Sequence, residues 1–86
     1  MTVFVVTYDL NQRGQNYECI TSRIEALTHF HAQKSVWFVE YEGDSMALAS
    51  YLIDCLDDND RLFVTPIDGW AGVNMPKGEK WLNEHA

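Results

Sequence analysis

The sequence predicts an α+β domain: a four-stranded antiparallel sheet carrying two helices on one face. Three observations predict it. Residues 2–9 (TVFVVTYD) and 35–41 (SVWFVEY) are β-branched and aromatic, with large apolar groups on both alternating sides, the pattern of strands buried on each face. Two segments, one after each of these runs, carry apolar residues at spacings of three and four, the period of helices that bury one stripe. Finally, 86 residues, 47% of them hydrophobic and two of them proline, allow one modest core and exclude disorder, so residues 1–86 form a single domain.

Each element follows in order. Residues 2–9 form a central strand. Residues 10–15, with Asn11 and Gly14, have the turn chemistry of a loop, and Asn16 can cap the helix that follows. There Tyr17, Ile20, Ile24 and Leu27 make one apolar stripe, with Glu18, Arg23 and Glu25 off it. Residues 30–34 (FHAQK) form a short strand before a tight turn at Gln33-Lys34. Residues 35–41 are the second two-sided strand, broken by Glu42-Gly43-Asp44. Asp44 or Ser45 caps a second helix whose stripe is Leu48, Ala49, Leu52, Ile53 and Leu56. The acidic residues 57–60 (DDND) turn the chain into a strand at 61–67 that Pro66 moves toward an edge. After the turn at 68–72 (DGWAG), Glu79, Lys80, Trp81, Leu82 and Asn83 make a short terminal helix, within an appendage of residues 73–86 that docks back on the body.

Strand, helix, strand, strand, helix, strand is the order of a ferredoxin-like βαββαβ sandwich, with the first and third strands central. Alternation then groups Phe4, Val6, Trp37, Val39, Phe63 and Thr65 against Val3, Val5, Phe38 and Val64. Helices cover one of these faces. The other is an apolar patch too large for a monomer, which implies a homodimer with the sheets face to face, Trp37 or Phe63 at the interface and the tail helping to close it.

Six Lys and Arg against thirteen Asp and Glu leave a formal charge of −7, which opposes non-specific coating of nucleic acid. No apolar run is long enough to span a bilayer, and the start, Met1-Thr2-Val3-Phe4, lacks the basic flank of a secretory signal. No membrane partner and a cytoplasmic location are expected. Cys19 and Cys55 fall in helical stretches; they can pair, but reduced thiols fit that location.

Val5-Val6-Thr7-Tyr8-Asp9-Leu10, followed after the first helix by Gln33-Lys34-Ser35-Val36-Trp37, resembles the CRISPR-associated protein 2 family and the related virulence-associated protein D family. With Trp37-Phe38-Val39, Asn59-Asp60-Arg61-Leu62-Phe63-Val64 and Gly69-Trp70-Ala71-Gly72 added, the chain also resembles short proteins labelled SinR-like. The resemblance implies a ferredoxin-like homodimer in which the aspartate ending the first strand lies near the two-fold axis and, in nucleases of the group, ligates a metal. Asp9 is the residue carried over. Two such carboxylates facing across an axis suit Mg²⁺ or Mn²⁺, which can activate water and neutralise a phosphodiester. The bland alternative is that Asp9 accepts hydrogen bonds from the loop amides of Asn11 or Gln12 and ends the strand. The adaptation family often carries basic residues after its aspartate; here residues 10–15 (LNQRGQ) offer Arg13, with Lys34 as a second cation.

Other polar groups take plainer readings. His29 and His31 share one side of a strand but are two ligands short of a closed zinc site, so they read as surface residues. The acidic turn fails as a calcium loop: counted from Asp58, the sixth position is Phe63 and the twelfth Gly69. Gly14 stands alone, which removes glycine-rich phosphate loops. Trp70 and Trp81 are suited to stacking on bases, yet in so small a domain they fill the second apolar layer. Two functions therefore stand. One is a dimeric metal-dependent nuclease or toxin-like ribonuclease acting on RNA or DNA, with Asp9 as metal ligand, Arg13 as phosphate contact and Tyr8, Asn11 and Lys34 binding substrate. The other is a non-catalytic dimeric module that binds a protein partner through its apolar or acidic surface.

Overall fold

The computed structural model describes residues 1–10 and 17–86. Its elements are β1 (Thr2–Asp9), α1 (Tyr17–Glu25), β2 (His29–Gln33), β3 (Val36–Tyr41), α2 (Ser45–Ile53), β4 (Arg61–Pro66) and α3 (Pro76–His85). The strands form one antiparallel sheet in the order β2-β3-β1-β4. The inner strands are β1 and β3, the two runs whose apolar groups face both ways. Pro66 closes β4 at the sheet's edge, where proline is tolerated.

One face of the sheet lies under α1 and α2. Phe4, Val6 and Tyr8 of β1 and Trp37 and Val39 of β3 are buried there with Ile20 and Ile24 of α1 and Leu48 and Leu52 of α2. The helical stripes are narrower than the sequence suggests. Tyr17 and Ile53 stay exposed, and Leu27 and Leu56 pack on this core from beyond the helix ends.

Residues opposite each other in an antiparallel pair share a face. The register pairs Val6 with Val64 and Thr7 with Phe63, so Val64 turns to the helices while Phe63 and Thr65 turn away with Thr7 and Val5. This corrects the expected grouping of Phe63 and Thr65 with Phe4 and Val6. Trp37, expected at a dimer interface, is instead buried beneath the helices, where its indole N–H donates to the Tyr8 hydroxyl at 3.1 Å. The alternation within each strand was sound; the phase between strands comes from pairing register, which a single strand does not carry.

The tail covers the other face more fully than a mere appendage would. Leu82 of α3 is buried with Val3 and Phe38, and Val5, Phe30, Ala32, Ile67, Met75 and Trp81 pack around them. Phe30, Phe38 and Trp81 form a ring cluster with centroids 6.1–6.3 Å apart. Pro76 suits the first turn of α3, where its missing N–H costs nothing. Two residues on, buried Gly78 lets the helix approach: a Cβ there would stand 3.2 Å from Met75 and 3.3 Å from Phe30. The strip left uncovered is at the far end of β1 and β4, with Phe63 63% exposed.

The two sheet-covering helices are joined through matched i, i+4 faces. Cys19 is disulfide-bonded to Cys55, which overturns the expectation of reduced thiols. One turn along α1 from Cys19, Arg23 donates to the Tyr51 carbonyl at 2.7 Å, stacks 5.6 Å over that ring and lies 3.8 Å from Asp54. Tyr51, one turn before Cys55, donates its hydroxyl to the Arg23 carbonyl at 2.8 Å. Pairing of 19 with 55, just past the end of α2, and of 23 with 51 makes the helices antiparallel, and it sets Cys55 in the core with Cys19 and Tyr51 packed against it.

Asp44 caps α2, its carboxylate accepting from the Ala47 amide at 2.8 Å. Replacing Asp44 with Ala leaves that amide without a protein acceptor and should cost about 1 kcal/mol. A urea melt should show a lower midpoint with unchanged slope; an unchanged midpoint would mean that the cap contributes nothing.

Candidate functional site

Asp9 ends β1 exposed, on the face turned away from the helices, and its register partner is Arg61, the first residue of β4. The antiparallel ladder thus sets an acidic and a basic residue opposite each other on one face, their side chains beyond ion-pair distance. With Thr7 and Phe63 from the same face, and Tyr8 and Leu62 between them, they line an open cavity of about 330 Å³. The cavity sits at the end of the sheet that α3 leaves bare.

The other predicted site residues divide. Tyr8, next to Asp9 in a strand, points the opposite way; only 5% exposed, its phenol is a core group that takes the Trp37 indole hydrogen bond. Lys34 lies in the β2–β3 turn and shares a second cavity with Tyr8, on the helix side. Asn11 and Arg13 lie outside the described residues. So does the proposed hydrogen bonding of Asp9 to loop amides at Asn11 or Gln12. Arg61 was not singled out by sequence reasoning, which saw it as the start of a strand. The available signal was that the last residue of one strand and the first of another meet when the two run antiparallel.

A metal can be tested against these donors. Among the described residues no three His, Cys, Asp or Glu side chains gather as a metal site. Of the described residues that line the cavity, Asp9 alone carries a carboxylate, a hard oxygen donor. Mg²⁺ keeps several waters and needs only one or two carboxylates beside substrate phosphate. Asp9 supplies one such carboxylate, which meets this requirement at its lower limit.

The histidines are used structurally. His31 lies flat on Trp37, with ring centroids 3.7 Å apart and planes 2° from parallel, and its Nε2–H donates to the Lys34 carbonyl at 3.2 Å. His29 donates from Nδ1 to the Leu27 carbonyl at 2.8 Å. The acidic turn is likewise local, with the Asp57 amide donating to Asp60 at 2.8 Å. Trp81 belongs to the second apolar layer, whereas Trp70 is 43% exposed. Among the described residues no helix is long and apolar enough to cross a membrane. No protein-family model, characterised protein or solved structure matches the chain.

Proposed function

We propose that the chain is a ferredoxin-like protomer of the CRISPR-associated protein 2 and virulence-associated protein D group, close to the SinR-like proteins. On this reading it works as a homodimer that binds and hydrolyses phosphodiesters of RNA or DNA. The observation that carries the proposal is the exposed Asp9–Arg61 pair at the uncovered end of the sheet. The strand order β2-β3-β1-β4, with a helix after β1 and after β3, supports the fold assignment.

Phe63, exposed beside Thr7 on this strip, is the apolar contact through which a second copy would bury the bare sheet. Such packing brings the two Asp9 side chains toward a common axis. Asp9 would hold Mg²⁺ or Mn²⁺, which supplies charge neutralisation at the phosphate and an activated water. Arg61 is the geometry's candidate to clamp a phosphate through two parallel N–H donors, with Arg13 and Asn11 following Asp9 in the chain as further contacts. Hydrolysis adds water across one P–O ester bond and yields a phosphomonoester and a free hydroxyl. A cytoplasmic location accords with that substrate; the disulfide, a bond that persists mainly in oxidising compartments, weighs against it.

The test pairs two variants. Asp9→Asn keeps the side chain's shape and removes its charge, so Mn²⁺-dependent cleavage of RNA or DNA should fall at least about 100-fold. Light scattering should still report a dimer, while Phe63→Asp should give monomers. Cleavage that survives Asp9→Asn through purification would overturn the catalytic assignment, and a wild-type monomer at micromolar concentration would overturn the shared site. The second reading, a non-catalytic dimer binding a protein partner, draws on the same exposed Phe63 and on the net charge of −7. A wild-type dimer with no cleavage would select it.

A further inference from the structure

A second cavity, of about 350 Å³, opens on the helix side between the start of α1 and the β2–β3 turn, lined by Tyr8, Tyr17, Thr21, His31, Lys34 and Ser35. Its size lies within the range of small-molecule sites. Its chemistry is unlike the rest of this acidic chain. The described residues place no carboxylate in ion-pair contact with Lys34, which stands exposed at the turn. Thr21 spends its hydroxyl on the carbonyls of Tyr17 and Glu18, so it contributes a wall and not a donor.

Two of the cavity's aromatic groups, Tyr8 and His31, are held in place before any ligand arrives. Tyr17 is 44% exposed with its ring 6.0 Å from that of Tyr8. His31 is fixed on one side by the Trp37 ring and along its edge by the Lys34 carbonyl. That carbonyl bond places a hydrogen on Nε2 and leaves Nδ1 as the nitrogen available to other partners. The Tyr8 oxygen accepts the Trp37 indole N–H, and so the phenol keeps its own O–H to give. An ammonium, a phenol O–H and the Ser35 hydroxyl thus share a cavity with ring surfaces. The acidic turn lies before β4, at the sheet edge opposite β2, so its charge does not crowd these donors.

We infer that this cavity binds a small planar aromatic anion, an aryl or nucleoside phosphate, with the ring against Tyr17 and the anionic group on Lys34, Ser35 and Tyr8. The fixed Tyr8 and His31 lower the ordering cost of binding such a ligand, and the cation and hydroxyls give it a direction. The site is separate from the Asp9–Arg61 pair, which lies on the other face of the sheet.

The experiment is a titration of the full chain with phenyl phosphate, AMP and inorganic phosphate, followed by the Trp37 indole N–H resonance. A ligand that takes the Tyr8 O–H polarises the phenol oxygen and shifts the N–H bonded to it. Phenyl phosphate or AMP should shift this resonance saturably below about 10 mM, and inorganic phosphate should bind at least about tenfold more weakly. The tighter of the two aromatic ligands identifies the ring the cavity prefers. Lys34→Met, at an exposed turn, should weaken binding about tenfold without altering the thermal melt. Tyr17→Leu should reduce the preference for phenyl phosphate over inorganic phosphate. Asp9→Asn should leave all of these values in place whether or not it removes cleavage. Absence of a saturable shift, binding unaffected by Lys34→Met, or loss of binding in Asp9→Asn would each overturn the inference.

Discussion

Replacing Cys19 and Cys55 together with alanine is expected to lower the free energy of unfolding by about 4 kcal/mol. The disulfide closes a loop across a sequence separation of 36 residues. Chain-entropy arguments assign a loop of that length roughly 3.8 kcal/mol at 25 °C, through the freedom it removes from the unfolded chain. For a domain of this size the loss corresponds to a melting temperature lower by about 15–30 °C. The substitution removes neither partner of the neighbouring contact, in which Arg23 and Tyr51 exchange hydrogen bonds one turn away. The double variant should therefore fold to the same structure at low temperature and differ in stability alone. Circular dichroism melts of the wild type with and without reductant provide the matching measurement. A melting temperature that is indifferent to both reductant and substitution would show that the two thiols are not paired in the folded protein.

Phe4→Ala is expected to cost about 3–5 kcal/mol, the range for removing a buried phenyl ring from a packed core. Phe4 is 1% exposed in the centre of the sheet, flanked by Val39 and Pro66 in its neighbouring strands and roofed by the helices that the disulfide joins. Phe63→Ala offers the contrast, since the same residue type on the adjoining strand is 63% exposed and its loss should change the stability of a dilute single chain by no more than about 0.5 kcal/mol. Urea denaturation of the two variants checks both values. A Phe4→Ala cost near 1 kcal/mol would place Phe4 outside the true core. A Phe63→Ala cost that grows with protein concentration would mark Phe63 as a contact between copies.

The elements were legible because their signals are local. Two-sided apolar runs made β1 and β3 inner strands, spacings of three and four located α1 and α2, and Asp44 or Ser45 marked the start of α2, the structure choosing Asp44 as its cap. Even the helix joint is visible afterwards, in Cys19 with Arg23 and Tyr51 with Cys55, each pair one turn apart. The sequence did not say whether those cysteines were bonded, because pairing depends on two helices being laid antiparallel at disulfide distance. Asp9 was marked by its place at a strand's end. Its neighbour Arg61 was not, because 52 positions of chain separate them and only the β1–β4 register brings them together.

What the sequence alone determined is the class of fold, the order of its elements and the residues able to bury themselves, since these follow from side-chain chemistry and periods of two and 3.6. The tertiary structure decided which sheet face each strand's residues joined, and so turned Phe63 outward and Trp37 inward. It also decided that α3 would cover most of the second face, and that Tyr8 and Asp9, adjacent in the chain, would serve opposite sides of the sheet. The physical reason is the same in each case. A period of two divides a strand's residues between two faces but leaves open which face is which, and hydrogen-bonded register with packing against helices selects the answer.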